Sequence, residues 1–422
     1  MIKKKTQKNR FLYKLTAFLT TVSLFSCACP PATALGAKKQ EIIVAVIDTG
    51  VNTDHELLRA GIWINNREIP GNGRDDDHNG YADDICGWDF YNGDNSVFHD
   101  ISYSDSVYGN DREDDHGTHV AGLVISEAEK TLKALGIDNS CGIRIMVLKI
   151  NGGPEAAGST SDAVKAIKYA EANGASICNL SWGAYNDDGA LKNAIKDSNM
   201  LFVCCAGNDG TDNDDKPLYP ASYPFDNIIS VTGAETGEEL RITGNYGKAS
   251  VDVCADGMER WSALSYGYGF KSGASMATAT VSGIAAALMA AGDISAVNTR
   301  EKIIEGSEKV PGLTGVSLIG GLCDPQKMKF GKFPQNQEIT KTEPAAIMLN
   351  YNEIAVKAGG GFRLDCLLLP GGCDTEISFS SSDEEVAEVS YNGLVLCRKA
   401  GEALVKVKTK SGREGICLVH VE

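Results

Sequence analysis

The sequence predicts an α/β protein with a mostly parallel sheet flanked by helices, followed by a small all-β sandwich. Continuous apolar runs recur up to about residue 323, and segments whose apolar residues have helical spacing lie between them. From residue 345 onward, short runs of alternating apolar and polar residues are separated by turn residues. Strands that alternate with helices are typical of a parallel sheet covered on both faces, whereas closely spaced short strands are typical of a β-sandwich.

Five apolar runs are expected to form the parallel sheet. Each is mostly apolar instead of strictly alternating, as expected of strands that are buried on both faces. The runs are residues 41–50, 143–150, 176–181, 201–207 and 228–234. Helices are predicted over residues 161–172, 190–197 and 275–291. In the first of these, Ala163, Ile167 and Ala170 repeat at helical spacing.

Composition and charge narrow the class of protein. The chain has 422 residues, of which 43% are hydrophobic and 23% are charged. This length suggests two or three domains of about 150 residues, and the composition excludes a disordered, collagen-like or coiled-coil chain. The 40 basic and 56 acidic residues give a net charge of −16. Because so acidic a surface repels polyphosphate, nucleic acid is not expected as a partner.

Residues 1–37 have the layout of a secretory signal peptide. Basic residues come first, an apolar run of 15 residues follows at 15–29, and small residues lie around Ala37. This order is typical of a signal peptide, and the run is short for a membrane span. Two alternatives stay open: a lipoprotein lipidated at Cys27, since LFSC resembles a lipobox, and a retained N-terminal anchor. We therefore predict a secreted or cell-surface protein, lipid-anchored at Cys27 under the first alternative.

Three short segments carry an acid, a histidine and a serine in that order. Asp48 ends the first apolar run in DTG, His116 begins HGTHVAG, and Ser275 lies in SGASMA. A serine hydroxyl needs a base with a pKa near 7 to become a nucleophile, and a carboxylate fixes the tautomer of that base. The three residues are therefore predicted to form a catalytic triad. Their order excludes the α/β-hydrolase and chymotrypsin arrangements.

Two groups are expected to stabilise an oxyanion beside Ser275. The helix predicted to begin at Ser275 presents unpaired backbone N–H groups and the positive end of its dipole. Asn208 follows another apolar run in AGND, and its side-chain amide is placed to donate a second hydrogen bond. Such a donor typically contributes about 3 kcal/mol to transition-state stabilisation. His119, in the same motif as His116, is interpreted as structural.

Over residues 41–325 these motifs resemble those of the subtilisin family of serine endopeptidases, the subtilases. HGTHVAG matches the family motif unchanged, GASMATATVSG is similar to the family's nucleophile motif, and AGN is similar to the segment that holds the oxyanion asparagine. The resemblance implies a catalytic domain over 38–324 with Asp48, His116 and Ser275 as triad and Asn208 as oxyanion donor. It also implies an exported endopeptidase that acts on protein or peptide substrates through an acyl-enzyme.

The resemblance also implies a substrate-binding segment. Ser181, Trp182 and Gly183 are similar to the family's SLG segment, which pairs with substrate backbone as an added strand. Trp182 and Asp209 are expected to border the pockets, so that large apolar P1 residues are favoured and Asp209 tolerates a basic one.

Three residues around the nucleophile depart from the family pattern. Ala274, Ala279 and Thr280 replace a threonine, a proline and a histidine. None of the three supplies a chemical group of the mechanism. The alternative function is a catalytically decayed surface adhesion protein.

An acidic loop at residues 75–84, DDDHNGYADD, has the spacing of a calcium site. Carboxylate and amide oxygens at alternate positions converge on a calcium ion, and the glycine permits a sharp turn. Cys86 stands where a final glutamate is usual. The alternative is a solvated acidic turn. The predicted ligands are Asp75, Asp77, Asn79, the carbonyl of Tyr81, and Asp83 or Asp84.

The C-terminal part is predicted to be a separate module. Residues 325–344 are polar and contain three prolines, which is typical of a linker. Residues 345–422 resemble a bacterial Ig-like domain of group 2, on the strength of SFSSSD at 378–383, VAEV at 386–389 and the short strands around them. Such a module is expected to act as a spacer or to contact a cell surface or carbohydrate. The protein is expected to be a monomer.

Overall fold

The computed structural model describes a large part of the chain. The described residues are 41–102, 112–137, 142–152, 158–236, 240–292, 294–329, 346–349, 351–364, 366–369, 377–390 and 393–422. The predicted signal peptide, Cys27 and most of the predicted linker lie outside these residues.

Residues 41–329 contain a large sheet and five described helices. The strands are β1 (Ile42–Asp48), β2 (Gly87–Asp89), β3 (Ile143–Lys149), β4 (Ile177–Leu180), β5 (Leu201–Cys205), β6 (Ile228–Thr236), β7 (Leu240–Ile242), β8 (Val253–Asp256), β9 (Arg260–Ala263), β10 (Tyr268–Lys271), β11 (Glu308–Lys309) and β12 (Gly321–Cys323). The helices are α1 (Asp115–Ala134), α2 (Thr160–Ala172), α3 (Gly189–Lys196), α4 (Ala274–Gly292) and α5 (Ala296–Gly306), with a 3₁₀ turn at Pro311–Leu313.

The sheet is mostly parallel. Its strand order is β11-β12-β8-β6-β5-β4-β1-β3-β2, with β7 paired to β6. Among the strands of this sheet that the structure describes, seven neighbouring pairs are parallel, and the pairs with β7 and β11 are antiparallel. Because β1 lies between β3 and β4, the residue that ends β1 lies at the carboxyl edge of the sheet between the ends of those two strands. Ligand sites of open parallel sheets lie at this edge.

Helices cover both faces of the sheet. Val44 and Val46 of β1 pack in one apolar cluster with α1, α4 and α5. Ile43, Ala45 and Ile47 pack in a second cluster with α2 and α3. Alternate residues of one strand therefore enter different layers, which is why the strand is apolar throughout. The predicted α/β fold with a mostly parallel, helix-flanked sheet is confirmed.

Helix α4 is the central helix of residues 41–329. It is 19 residues long, and all but two of its residues are buried. By length and composition it is the one helix among the described residues that is apolar enough to cross a membrane. It lies inside the protein, where it packs against α1 and the sheet, and burial alone accounts for its composition.

Residues 346–422 form small sheets around a core of their own. The strands are β13 (Ala346–Leu349), β14 (Glu353–Val356), β15 (Gly361–Arg363), β16 (Cys366–Leu369), β17 (Ile377–Ser381), β18 (Ala387–Val389), β19 (Leu394–Cys397), β20 (Gly401–Thr409) and β21 (Glu414–Val421). They pair as β13-β16, β14-β21-β20-β17 and β15-β19-β18. Their buried residues, Val405, Val407 and Val419 among them, form a separate apolar cluster. The prediction that the C-terminal part consists of β-strands is confirmed for the described residues.

Candidate active site

Asp48 and His116 form a direct pair at the carboxyl edge of the sheet. Asp48 is the last residue of β1 and is 2% exposed. His116 is the second residue of α1, and its Nδ1 lies 2.7 Å from Asp48 Oδ1. The backbone N–H of Thr49 donates to the same oxygen at 2.7 Å. The carboxylate therefore fixes the orientation of the imidazole and leaves Nε2 as the ring nitrogen that can act as a base.

Two glycines allow these segments to approach. Gly50 has a φ of +120°, and a Cβ there would lie 2.7 Å from the Asp114 side chain. A Cβ on Gly117 would lie 2.2 Å from the carbonyl oxygen of Gly50. The backbone N–H of Gly117 also donates to Thr49 Oγ1 at 3.0 Å. The glycines of DTG and HGT are thus required because the start of α1 packs directly on the loop after β1.

Ser275 lies in the first turn of α4. Its hydroxyl donates to the backbone carbonyl of Ser181 at 3.0 Å, and the hydroxyl of Ser181 donates to the carbonyl of Ser275 at 3.1 Å. Asn179 Nδ2 donates to Ser181 Oγ at 2.9 Å, and Ser282 Oγ donates to Asn179 Oδ1 at 2.8 Å. A buried chain of hydrogen bonds therefore connects the middle of α4, the end of β4 and the serine. No motif in the sequence indicated Asn179 or Ser282.

Asn208 follows β5 and faces the start of α4. Its Oδ1 accepts a hydrogen bond from the backbone N–H of Ala274 at 2.8 Å. Because a backbone N–H donates to an oxygen, the side-chain atom of Asn208 that faces Ala274 is Oδ1. The Nδ2 atom is therefore directed away from the Ala274 N–H. Asn208, His116 and Ser275 line one cavity of about 530 Å³. The structure thus brings the four predicted catalytic residues to one place.

The predicted substrate-binding residues lie around this cavity in different ways. Ser181 and Trp182 line it, and the indole N–H of Trp182 donates to the carbonyl of Ile47 at 2.9 Å. Asp209 is outside the lining residues and accepts a hydrogen bond from the hydroxyl of Tyr185 at 2.5 Å.

Leu218 lies between the segment that follows β4 and the segment that follows β5. A Cβ on Gly183 would lie 2.7 Å from Leu218 Cδ2, and one on Gly207 would lie 2.9 Å from the same atom. Leu218 is 5% exposed. Its side chain therefore fills the space between Gly183 and Gly207, a contact that no motif in the sequence indicated.

His119 ties α1 to the hairpin formed by β9 and β10. Its Nε2 lies 2.9 Å from the carbonyl of Arg260 and 3.3 Å from that of Gly269. Burial lowers the pKa of His119 to about 4. The ring is therefore neutral at pH 7, and its Nε2–H donates to the carbonyls.

A buried lysine supports the loop on the other side of Asp48. Lys149 ends β3 opposite Asp48 and is fully buried. Its Nζ lies 2.6 Å from both Asp114 Oδ1 and Glu113 Oε1 and donates to the carbonyl of Thr49. Burial raises the pKa of Asp114 to about 6, although Lys149 acts to lower it. No motif in the sequence indicated this group, which holds together the residues that follow Asp48 and precede His116.

The acidic loop brings three carboxylates together, one of them unexpected. Oxygen atoms of Glu68, Asp75 and Asp77 lie within 4.8 Å of one another. Glu68 Oε1 also accepts the backbone N–H groups of Asp76 and Asp77 at 2.7 and 3.0 Å, and burial raises its pKa. Glu68 precedes the predicted loop and belongs to no motif that the sequence analysis recognised.

The other four predicted calcium ligands have different contacts. Asn79 Nδ2 donates to Asp84 Oδ2 at 2.8 Å, and Asp84 also accepts from the hydroxyl of Tyr169. The carboxylate of Asp83 accepts the backbone N–H groups of residues 72 and 73 at 3.1 and 2.8 Å. The ring of Tyr81 packs edge-on against aromatic neighbours, among them Tyr169 at 5.1 Å.

The site defines a class of protein. A buried carboxylate that orients a histidine, a serine at a helix N-terminus and an asparagine amide around one cavity are the groups of a serine hydrolase. Residues 39–320 match the subtilase family, and the chain belongs to that family.

Relatives named as serine proteases are similar to 60–66% of the chain. The thermophilic serine proteinase of Bacillus sp. (strain AK1) is 31% identical over 282 residues, 66% of this chain and 58% of that protein. The major intracellular serine protease of Bacillus subtilis (strain 168) is 31% identical over 261 residues, 60% of this chain and 70% of that protein. Among solved structures, a cold adapted subtilisin-like serine proteinase is 23% identical with a TM-score of 0.49, covering 68% of this chain and 90% of that one. The first of these relatives is thus matched over less than two thirds of its own length.

Proposed function

We propose that this chain is an exported serine endopeptidase that cleaves peptide bonds through an acyl-enzyme. The observation that carries the proposal is the 2.7 Å contact between His116 Nδ1 and Asp48 Oδ1, in a cavity that also contains Ser275. A serine becomes a nucleophile beside a base that is oriented in this way. Membership of the subtilase family supports the assignment. Export rests on the signal-peptide pattern of residues 1–37.

The chemistry proceeds in two halves. Ser275 Oγ turns from the carbonyl of Ser181 and attacks the peptide carbonyl, while His116 Nε2 takes its proton and Asp48 stabilises the imidazolium. The oxyanion accepts hydrogen bonds from Asn208 Nδ2 and the Ser275 N–H. The C–N bond then breaks, and the imidazolium gives its proton to the leaving amine. Water repeats the sequence on the acyl-enzyme and releases the carboxylic acid and Ser275.

The acyl half of the substrate is proposed to lie as an extended strand along Ser181, Trp182 and Gly183. Its P1 side chain then enters the space bordered by Gly183 and Gly207, where Leu218 limits the depth. The sequence predicted large apolar P1 residues. With Leu218 in place, flexible aliphatic residues such as leucine and methionine are expected to be cleaved faster than tryptophan. A role for Asp209 with basic P1 residues remains a proposal.

The acidic loop is proposed to bind a structural calcium ion. Three carboxylates within 4.8 Å of one another fit a hard divalent cation, because calcium takes oxygen ligands and offsets the repulsion between them. Glu68, Asp75 and Asp77 would hold the ion. Asn79, Tyr81, Asp83 and Asp84 remain predicted ligands from the sequence. Bound there, calcium would stabilise the loop, and no catalytic step involves it.

The C-terminal unit is proposed to be an Ig-like module that acts as a spacer or adhesion domain. Its separate apolar core supports an independent unit. The hydroxyl of Tyr351 donates to the carbonyl of Asn66 at 2.9 Å, so the module also contacts the segment that precedes the acidic loop.

Covalent labelling tests the proposed function. The purified protein is treated with a fluorophosphonate probe, beside a Ser275→Ala variant, and cleavage of a casein substrate is measured in parallel. Labelling and cleavage that are both lost in the variant are the expected result. A folded wild-type protein that neither reacts nor cleaves would overturn the proposal in favour of an adhesion protein.

A further inference from the structure

An aromatic face is exposed on the hairpin of β9 and β10. Trp261, Tyr268 and Phe270 are 55%, 38% and 65% exposed. Trp261 and Phe270 are direct cross-strand partners with ring centroids 4.7 Å apart, and Trp261 stacks on Tyr268 at 6.0 Å. Large exposed apolar side chains that cluster on one surface usually mark an interaction site. We call these three residues the aromatic face.

The opposite side of the hairpin is fixed to the catalytic helix. Ser262 Oγ donates to the carbonyl of His119 at 2.9 Å, and His119 contacts the carbonyls of Arg260 and Gly269. His119 lies one turn after His116 in α1. The aromatic face is therefore held rigidly relative to the catalytic base, which limits the entropy that it loses on binding.

The aromatic face continues into the catalytic cavity. Phe270 and Lys271 line that cavity together with His116 and Ser275. Under the proposed function the acyl half of the substrate lies along Ser181 and its neighbours. The leaving half, whose amine receives a proton from His116, must then lie against the other residues that line the cavity. Among these residues, Phe270 belongs to the hairpin and is part of the aromatic face.

We infer that the aromatic face binds the part of the substrate on the C-terminal side of the cleaved bond, and that it selects aromatic or large apolar residues there. The occupant is an extended polypeptide whose rings pack against Trp261 and Phe270. Ring pairs of this kind add specificity beyond simple burial. The inference rests on the proposed endopeptidase function and assigns its selectivity on the leaving side.

The test uses two internally quenched peptides that are identical up to the cleaved bond. One has phenylalanine at the second and third residues after the bond, and the other has serine there. We expect kcat/KM to be about tenfold higher for the phenylalanine peptide, in line with one or two aromatic contacts. Trp261→Ala should reduce this ratio to near one. Tyr91→Ala, which removes a 40% exposed aromatic side chain of another loop, should preserve it.

Binding to the Ser275→Ala variant gives a second readout that needs no catalysis. Fluorescence anisotropy of the labelled peptides should show about tenfold tighter binding of the phenylalanine peptide, and the added Trp261→Ala change should abolish the difference. Equal rates or equal affinities for the two peptides would overturn the inference while leaving the endopeptidase intact. Selective binding without any cleavage by the wild type would instead overturn the proposed function, and with it the assignment of the aromatic face to the leaving side of a cleaved bond.

Discussion

The hydroxyl of Ser275 donates to the main-chain carbonyl of Ser181 at 3.0 Å, and Ser181 returns a hydrogen bond of 3.1 Å to the carbonyl of Ser275. This reciprocal pair joins the N-terminus of α4 to the end of β4. Under the proposed function it joins the nucleophile to the segment that holds the substrate. The position of Ser275 therefore depends on the residues that fix the position of Ser181.

The first prediction concerns the chain of hydrogen bonds that connects Ser282 and Asn179 to Ser181. Ser282→Ala removes the donor to Asn179 Oδ1 and leaves that buried oxygen without its 2.8 Å partner. An unsatisfied buried acceptor costs about 1–3 kcal/mol, and Asn179 should relax to regain a partner. We expect kcat to fall about tenfold while KM changes little, because the substrate contacts remain.

Steady-state kinetics on a peptide substrate measure this effect. Thr280→Ala is the matched control, since Thr280 is buried in the same helix but donates to the carbonyl of Met276 within that helix. An equal loss of kcat in both variants would show a general effect of loosening α4. That result would contradict a positioning role for Ser282.

The second prediction concerns the Asp48–His116 pair. Asp48→Asn keeps the shape of the side chain but places an amide where a carboxylate now accepts from His116 Nδ1. The imidazole then favours the wrong tautomer and its cation loses a stabilising charge. We expect kcat to fall by about 10⁴. Fluorophosphonate labelling rates should fall in parallel. Asp94→Asn serves as the control for loss of one negative charge, and unchanged labelling in Asp48→Asn would contradict the triad.

The third prediction concerns pH and His119. Its pKa is lowered from 6.5 to about 4 in the folded protein. The unfolded state therefore binds a proton as pH falls below 6.5 while the folded state does not, so stability is lost between pH 6.5 and 4. Each unit of pKa corresponds to about 1.4 kcal/mol, so the loss approaches about 3 kcal/mol. Asp114, whose pKa is raised to about 6, acts in the opposite sense over much of the same range.

A substitution isolates the contribution of His119 from that of Asp114. Urea unfolding is measured from pH 7 to 4.5 in a Ser275→Ala background, which prevents self-digestion. His119→Gln should be less stable than the parent at pH 7, and the difference should shrink as the pH falls. His420→Gln changes a surface histidine and should not reduce the acid sensitivity. A difference between parent and His119→Gln that stays constant with pH would contradict the neutral buried state.

Short motifs allowed the catalytic residues to be predicted, whereas three-dimensional pairing was required for the rest. Asp48, His116 and Ser275 each lie in a short contiguous motif, namely DTG, HGTHVAG and SGASMA. Glu68 has no such segment, because its place beside Asp75 and Asp77 follows from the path of the loop. Strands β1, β3, β4, β5 and β6 were predicted from their apolar runs, and helices α2, α3 and α4 were predicted between and after those runs. Short elements such as β2 and the β9–β10 hairpin carry too few residues to show a period.

Lys149 illustrates the same limit. In the sequence it is one charge at the end of an apolar run, and such a lysine usually lies at a solvent-exposed strand end. Lys149 is buried because β2 pairs with β3 and because α1 begins close to the end of β3. Only the folded chain brings Glu113 and Asp114 to its amine.

The fourth prediction concerns calcium. If Glu68, Asp75 and Asp77 hold the ion, calcium at 100 times its dissociation constant should stabilise the folded Ser275→Ala protein by about 2.7 kcal/mol. Thermal unfolding with calcium and with EDTA measures this difference. The double variant Glu68→Gln, Asp77→Asn should lose the response, and Glu301→Gln on α5 should retain it. A response that survives the double variant would place the ion elsewhere.

The fifth prediction concerns the P1 pocket. Because Leu218 fills the space between Gly183 and Gly207, Leu218→Ala should deepen the pocket. The ratio of kcat/KM for tryptophan over leucine at P1 should then rise about tenfold, since burying a large ring gains roughly 1.5–3 kcal/mol where space exists. Leu218→Ala also removes buried contacts, so activity is measured below the unfolding transition of the variant. Leu191→Ala, a buried leucine of α3, controls for destabilisation alone. An unchanged P1 profile in Leu218→Ala, with activity retained, would show that the P1 side chain lies outside the space bordered by Gly183 and Gly207.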